Sequence, residues 1–180
     1  MNNNPAVSVI GVNAGKTLVA DDEEKYRRLF RDILEAERYQ VFLAEDGEQA
    51  FERALADLPD VVLLDVMMPK MGGNEVCGRL RRDARTAHIP ILMVTALRDR
   101  ADRLKGIQAG ANDFLSKPVD IQEIRLRVKN AVIGKHLYDK VQEDYVLLKG
   151  LESLRDNLTH MIVHDMRSPL MGIMGNLEIL

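Results

Sequence analysis

The sequence predicts an α/β fold: a five-stranded parallel sheet in the order 2-1-3-4-5 with helices on both faces, followed by a long C-terminal coiled-coil helix. Three observations carry this. Between residues 16 and 134, short apolar runs alternate with segments of helical periodicity, and such alternation builds a parallel sheet covered on both faces. Right-handed crossovers leave few topologies, of which 2-1-3-4-5 is favoured. From Asp120 onward strand signals stop. There Leu147, Leu151, Leu154, Leu158 and Met161 step by four, three, four and three, the spacing of a coiled-coil seam.

The elements follow in order. Residues 1–15 are unpatterned and Asn- and Gly-containing, and read as a mobile leader. Thr17 to Ala20 is a short apolar strand. Asp22 to Arg38 carries Tyr26, Leu29, Phe30, Ile33 and Leu34 at helical spacing. Val41 to Ala44 is the second strand, and a helix from Gly47 to Ala56 turns Ala50, Phe51, Ala54 and Leu55 inward. Asp60 to Asp65 is the third strand, and Pro69 to Gly73 is a loop by its breakers. Asn74 to Arg82 is the third helix, Ile89 to Thr95 the fourth strand, Asp99 to Ala109 the fourth helix and Asp113 to Ser116 the fifth strand. A helix begins at Asp120 with Ile121, Ile124, Val128 and Val132 inward. Leu137, Val141 and Leu148 lie in a different register from the later seam, so a stutter is expected near Gly150. Leu170, Ile173, Leu177 and Leu180 resume the seam.

Composition narrows the function. Of 180 residues, 46% are hydrophobic and 29% charged, which excludes bulk disorder. No apolar run approaches the roughly 20 residues that span a bilayer, and the N-terminus lacks the basic region of a secretory signal. One cysteine, Cys77, forms neither an internal disulfide nor a zinc site. A cytoplasmic protein is expected. Twenty-five basic against 28 acidic residues give a net charge of −3, and with no Trp the chain offers no base-stacking platform, so a nucleic-acid partner is not expected.

In open parallel sheets, ligands bind beyond the carboxyl ends of the strands. Strand 1 ends in Asp21-Asp22, strand 3 in Asp65 and strand 4 in Thr95, and strand 5 runs into Lys117-Pro118. Singly, each has an ordinary explanation as a cap, a strand former or a loop. Together, at four strand ends on one edge, they make a site. Clustered carboxylates repel, and a divalent cation with oxygen ligands relieves them; Mg2+ fits because it takes one or two carboxylates and keeps waters. Lys117 and Thr95 supply a positive charge and a hydroxyl for a phosphoryl group, and a carboxylate is the available nucleophile.

The segments Leu18-Val-Ala-Asp-Asp, Val61-Val-Leu-Leu-Asp-Val-Met-Met-Pro, Met93-Val-Thr-Ala and Gly110-Ala-Asn-Asp-Phe-Leu-Ser-Lys-Pro closely resemble the response-regulator receiver domain, over residues 16–134. The resemblance implies a flavodoxin-like fold in which Asp65 accepts phosphate from a phosphohistidine. It further implies that Asp22, Asp65 and the Met67 backbone carbonyl bind magnesium, with Asp21 acting through water. Thr95 and Lys117 would hold the phosphoryl group, and Phe114 would be the aromatic that turns inward as Thr95 moves. A haloacid-dehalogenase-type phosphatase would also use such an Asp, but that chemistry wants a second Asp two residues on, where Met67 stands.

His164 lies in Val163-His-Asp-Met-Arg-Ser-Pro-Leu170. An acid beside a histidine can accept its proton and make it a nucleophile toward the terminal phosphate of ATP. This octet resembles the phosphoacceptor box of the dimerising domain of sensor histidine kinases, which implies His164 as phosphohistidine with Asp165 beside it. His160 and His164 are four apart, a spacing that could bind metal on one helix face, but no third ligand is evident. A near match to a phosphate-binding loop, Gly11 to Thr17, is one residue short and precedes a strand instead of a helix.

The expected organisation is therefore a receiver domain over 16–134, a coiled-coil signalling helix over 135–158, and the truncated start of a phosphoacceptor helix over 159–180. The parent would be a hybrid histidine kinase, homodimeric through this helix, with phosphodonor kinases or phosphotransfer proteins upstream. ATP would enter only in that longer parent, and this chain alone should not autophosphorylate. The alternative is a non-enzymatic response regulator whose helical tail binds a partner protein.

Overall fold

The computed structural model describes residues 15–96 and 100–177; the side chains of residues 100–102 and 163–177 lie outside the described set. The elements run in the order β1 (Lys16–Ala20), α1 (Glu24–Ala36), β2 (Gln40–Ala44), α2 (Gly47–Asp57), β3 (Val61–Asp65), α3 (Gly73–Arg82), β4 (Ile91–Thr95), α4 (Arg100–Ala109), β5 (Asp113–Ser116) and α5 (Ile121–Leu177). All strand pairs are parallel and the sheet order is β2-β1-β3-β4-β5, as the alternating pattern predicts. Of the predicted leader, residues 1–14 are outside the described set.

Burial explains which strands are central. Every residue of β3 and β4 is buried, whereas the edge strands β2 and β5 are only partly covered. The continuous apolar runs Val61-Val-Leu-Leu and Ile91-Leu-Met-Val supply side chains to both faces at once. One face meets α2, α3 and the β5 residue Phe114 around Leu18, Val62, Leu64, Val76, Leu80 and Met93. The other meets α1 and the start of α5 around Val19, Phe30, Leu34, Leu63, Ile124 and Val128.

Most element ends shift by one or two residues from the sequence reading, and at two of them, and at one side chain, local contacts give the reason. α1 begins at Glu24, not Asp22: the Asp21 carboxylate accepts the Glu23 backbone N–H at 3.0 Å, and the Arg27 guanidinium bonds the Asp21 and Asp22 carbonyls at 2.6 and 2.8 Å. β4 begins at Ile91, not Ile89, because the Ile89 carbonyl is taken by Arg81 Nη1 at 2.7 Å and Pro90 has no N–H to give. Ile121, predicted inward, is 45% exposed, while Ile124, Val128 and Val132 carry the packing of α5 on the sheet.

Two compact units are distinguished, one reaching to His136 and one beginning at Leu137. In the second, the helix runs through Gly150, and Leu147, Leu151, Leu154, Leu158 and Met161 are all exposed within this single chain. Among the described residues, no helix is long and apolar enough to cross a membrane.

Candidate functional site

The carboxyl ends of β1, β3 and β4 and the loop after β5 bring together Asp21, Asp65, Thr95 and Lys117, and all are nearly buried: 1%, 5% and 4% exposure for the first three residues and 6% for the Lys117 side chain. Asp22 is exposed at the rim, and oxygens of Asp21, Asp22 and Asp65 lie within 4.8 Å of one another. Lys117 Nζ stands 2.8 Å from Asp21 Oδ2 and 3.2 Å from Asp65 Oδ2. Its loop is tied to the neighbouring strand by the Lys117 backbone N–H donating to the Thr95 carbonyl at 2.8 Å, and the Lys117–Pro118 peptide is cis.

Glycine makes the approach to Asp65 possible. A Cβ on Gly73, the first residue of α3, would lie 2.1 Å from the Asp65 carbonyl oxygen. The loop between them is held from the other side as well. Asp46 caps α2 by accepting the Gln49 N–H at 2.9 Å and pairs with Lys70 Nζ at 2.5 Å, while Gly47 packs so closely that a Cβ would meet the Met71 carbonyl at 1.9 Å. The chain carrying Met67 is therefore pinned at both ends; the Met67 side chain itself is 67% exposed.

Electrostatics follow from burial. Burial, reinforced by the nearby Asp21 charge, pushes the Asp65 carboxyl up from 3.8 to about 6, even though Lys117 and a backbone hydrogen bond from Met67 act the other way. Asp21 is raised chiefly by burial as well. For Lys117, burial disfavours the ammonium, but its bonds to Asp21 and Asp65 outweigh that and the net direction is upward. The site thus holds two carboxylates against their preference with one cation between them. Its donor set is all oxygen, buried on one side and open at Asp22, which suits a hard divalent cation.

The sequence-predicted residues divide cleanly. Asp21, Asp22, Asp65 and Lys117 are gathered within ion-pair or ligand distance. Phe114 is half-buried, its ring where a Cβ on Gly106 of α4 would lie 2.7 Å from it, with the Arg103 guanidinium 5.4 Å from the ring centroid. The side chains of His164 and Asp165 lie outside the described residues. Sequence reasoning missed Glu23, whose Oε1 is 3.7 Å from Lys117 Nζ, and Tyr26, whose ring centroid is 4.1 Å from it. It also missed Arg27. A third acid directly after the Asp pair was the available signal for Glu23; for Tyr26 there was none beyond its place on the inward face of α1.

Residues 17–129 match the family model for the response regulator receiver domain. The chain is 44% identical over 130 residues to the response regulator PleD of Caulobacter vibrioides, covering 72% of this chain and 29% of PleD, so it spans less than a third of that relative. It is 34% identical over 113 residues to histidine kinase P4 of Formosa agariphila, covering 63% of this chain and 8% of the kinase. The crystal structure of the receiver domain of a signal transduction histidine kinase from Syntrophus aciditrophicus superposes with a TM-score of 0.63 at 29% identity, over 67% of this chain and 91% of that one. The family match extends over more than half of the chain, and this protein therefore belongs to the response regulator receiver domain family of two-component phosphorelay signalling.

Proposed function

We propose that Asp65 is the phosphoacceptor and that its phosphorylation controls a histidine kinase core through the helix that follows. The observation carrying the first part is the Lys117 ammonium, its side chain 6% exposed, shared between Asp65 and Asp21 at the strand ends. In the transfer, an Asp65 oxygen attacks the phosphorus of a phosphohistidine on the donor protein. The new O–P bond forms as the N–P bond breaks, and the donor imidazole leaves with the electron pair. Lys117 and the Thr95 hydroxyl would bind the phosphoryl oxygens on which charge collects. Asp22, Asp65 and the Met67 carbonyl would hold magnesium, with Asp21 through water. When bound, the ion neutralises carboxylate charge and draws on a phosphoryl oxygen.

The second part rests on the sequence around His164 and Asp165 and on the exposed leucine stripe of α5, which supports pairing with a second copy of the chain in parallel. In that reading His164 is phosphorylated by a kinase core using ATP bound elsewhere in the parent protein, which works in the cytoplasm.

Acetyl phosphate with magnesium tests the acceptor. Label on the chain should be acid-stable, base-labile and magnesium-dependent, absent from Asp65→Asn, and mostly lost in Lys117→Ala. Labelling of Asp65→Asn to the wild-type extent would refute the assignment.

A further inference from the structure

We infer that Tyr26 is a positioning residue for Lys117, its ring face helping to hold the ammonium between Asp21 and Asp65. This rests on the reading of Asp65 as phosphoacceptor. Lys117 Nζ is drawn by three carboxylates at unequal distances: Asp21 at 2.8 Å, Asp65 at 3.2 Å and Glu23 at 3.7 Å. Only its position near Asp65 serves phosphoryl transfer. The Tyr26 ring centroid lies 4.1 Å from the same nitrogen, well within cation–π range. Because the Lys117 side chain is only 6% exposed, water competes little for that contact.

The ring is itself anchored. Tyr26 stacks on Phe30 with centroids 6.3 Å apart and planes at 27°, and Phe30 is wholly buried between α1 and the sheet. Core packing therefore fixes the ring, and the ring limits where the ammonium can go. Lys25 also lies over this ring, at 4.9 Å, and is paired with Glu23 at 2.6 Å. Glu23 is thus shared between solvent-exposed Lys25 and Lys117, and the two buried aspartates hold Lys117 at the shorter distances. The Tyr26 hydroxyl plays no part in this; the π face does the positioning.

The test is the rate of acetyl phosphate labelling of the 180-residue chain. Tyr26→Leu should slow it by about threefold to thirtyfold, the scale of a desolvated cation–π contact. Tyr26→Phe, which keeps the ring face, should stay within about twofold of wild type. Tyr26→Met provides a second aliphatic replacement of similar volume should the leucine variant not fold. The half-saturating magnesium concentration should not move in any of them, since a general disruption of the site would shift it. In a Lys117→Ala background, Tyr26→Leu should cost nothing further, because the residue acts only through that ammonium. Full-rate labelling of Tyr26→Leu, a Tyr26→Phe as slow as the leucine variant, or the same fold loss in the Lys117→Ala background would each overturn the inference. A wild type that takes no phosphate at Asp65 would instead overturn the site reading, and this inference with it.

Discussion

Replacing the Asp65 carboxylate by the carboxamide of Asn should stabilise the metal-free protein, and the gain should depend on pH in a defined way. The native state holds Asp65 with a carboxyl pushed up to about 6 from 3.8, chiefly by burial and then by Asp21. The fold thus favours the protonated acid. Its contribution to stability is fully present below the unfolded value near 4, is lost as pH rises through about 6, and stays lost above that. The interval between the two values corresponds to about 3 kcal/mol. Asn makes no such ionisation, so Asp65→Asn should match wild type near pH 4 and exceed it by at most about 3 kcal/mol above pH 6. The realised gain will be smaller, roughly 1–3 kcal/mol, because Lys117 loses one partner and Asp21 titrates jointly with Asp65.

Urea unfolding in EDTA, followed on the methyl resonances of the buried Leu18 and Leu64, reads the receiver unit alone. A difference of that size moves the midpoint by about 1 M. Magnesium should narrow the gap, since the wild-type carboxylate gains a ligand that Asn binds poorly. An Asp65→Asn variant no more stable than wild type at pH 8, or a gap that stays constant from pH 4 to pH 8, would refute the electrostatic account.

Three further outcomes follow from packing. Gly47→Ala, whose Cβ would meet the Met71 carbonyl at 1.9 Å, should destabilise the receiver by about 2 kcal/mol or more in a denaturant titration. Gly78→Ala on α3, with nothing within 4 Å, should be neutral or stabilising by about 0.5–1 kcal/mol. Leu151→Lys with Leu154→Lys should convert a dimer to a monomer in sedimentation equilibrium, because each stripe residue contributes roughly 1.5–3 kcal/mol when buried against a partner. A wild-type chain that sediments as a monomer at tens of micromolar would instead favour the tail-binding response regulator.

The parallel sheet was legible because β3 and β4 are apolar on both faces, and only a strand covered from two sides carries Val61-Val-Leu-Leu or Ile91-Leu-Met-Val between breakers. Handedness left few topologies, and the favoured one, β2-β1-β3-β4-β5, is the order observed. What failed was extent. Periodicity identifies the face that packs but not where along the axis packing begins, which is why Ile121 was grouped with Ile124, Val128 and Val132 and yet is exposed. Side chains that bond backbone are likewise invisible to patterning. Arg27 holds the carbonyls of Asp21 and Asp22, delaying α1, and Arg81 takes the Ile89 carbonyl, delaying β4.

The gathering of the acidic residues was legible for a related reason. In a parallel sheet every strand end that carries a carboxylate or a lysine faces the same edge, so Asp21, Asp22, Asp65 and Lys117 could be assembled from chain position alone. Tyr26 could not. Its spacing with Phe30, Ile33 and Leu34 marks it as a core residue, and its stacking on Phe30 agrees with that role. The same ring also faces Lys117, distant in sequence, at 4.1 Å. A helical pattern scores a residue by its apolar surface, whereas this contact depends on the ring's quadrupole and on a cation delivered by another strand end. An aromatic one turn into the helix after an acidic strand end thus belongs to the packing and to the electrostatics at once. Only a variant that keeps the ring while losing the hydroxyl, set against one that keeps the volume while losing the ring, separates the two contributions.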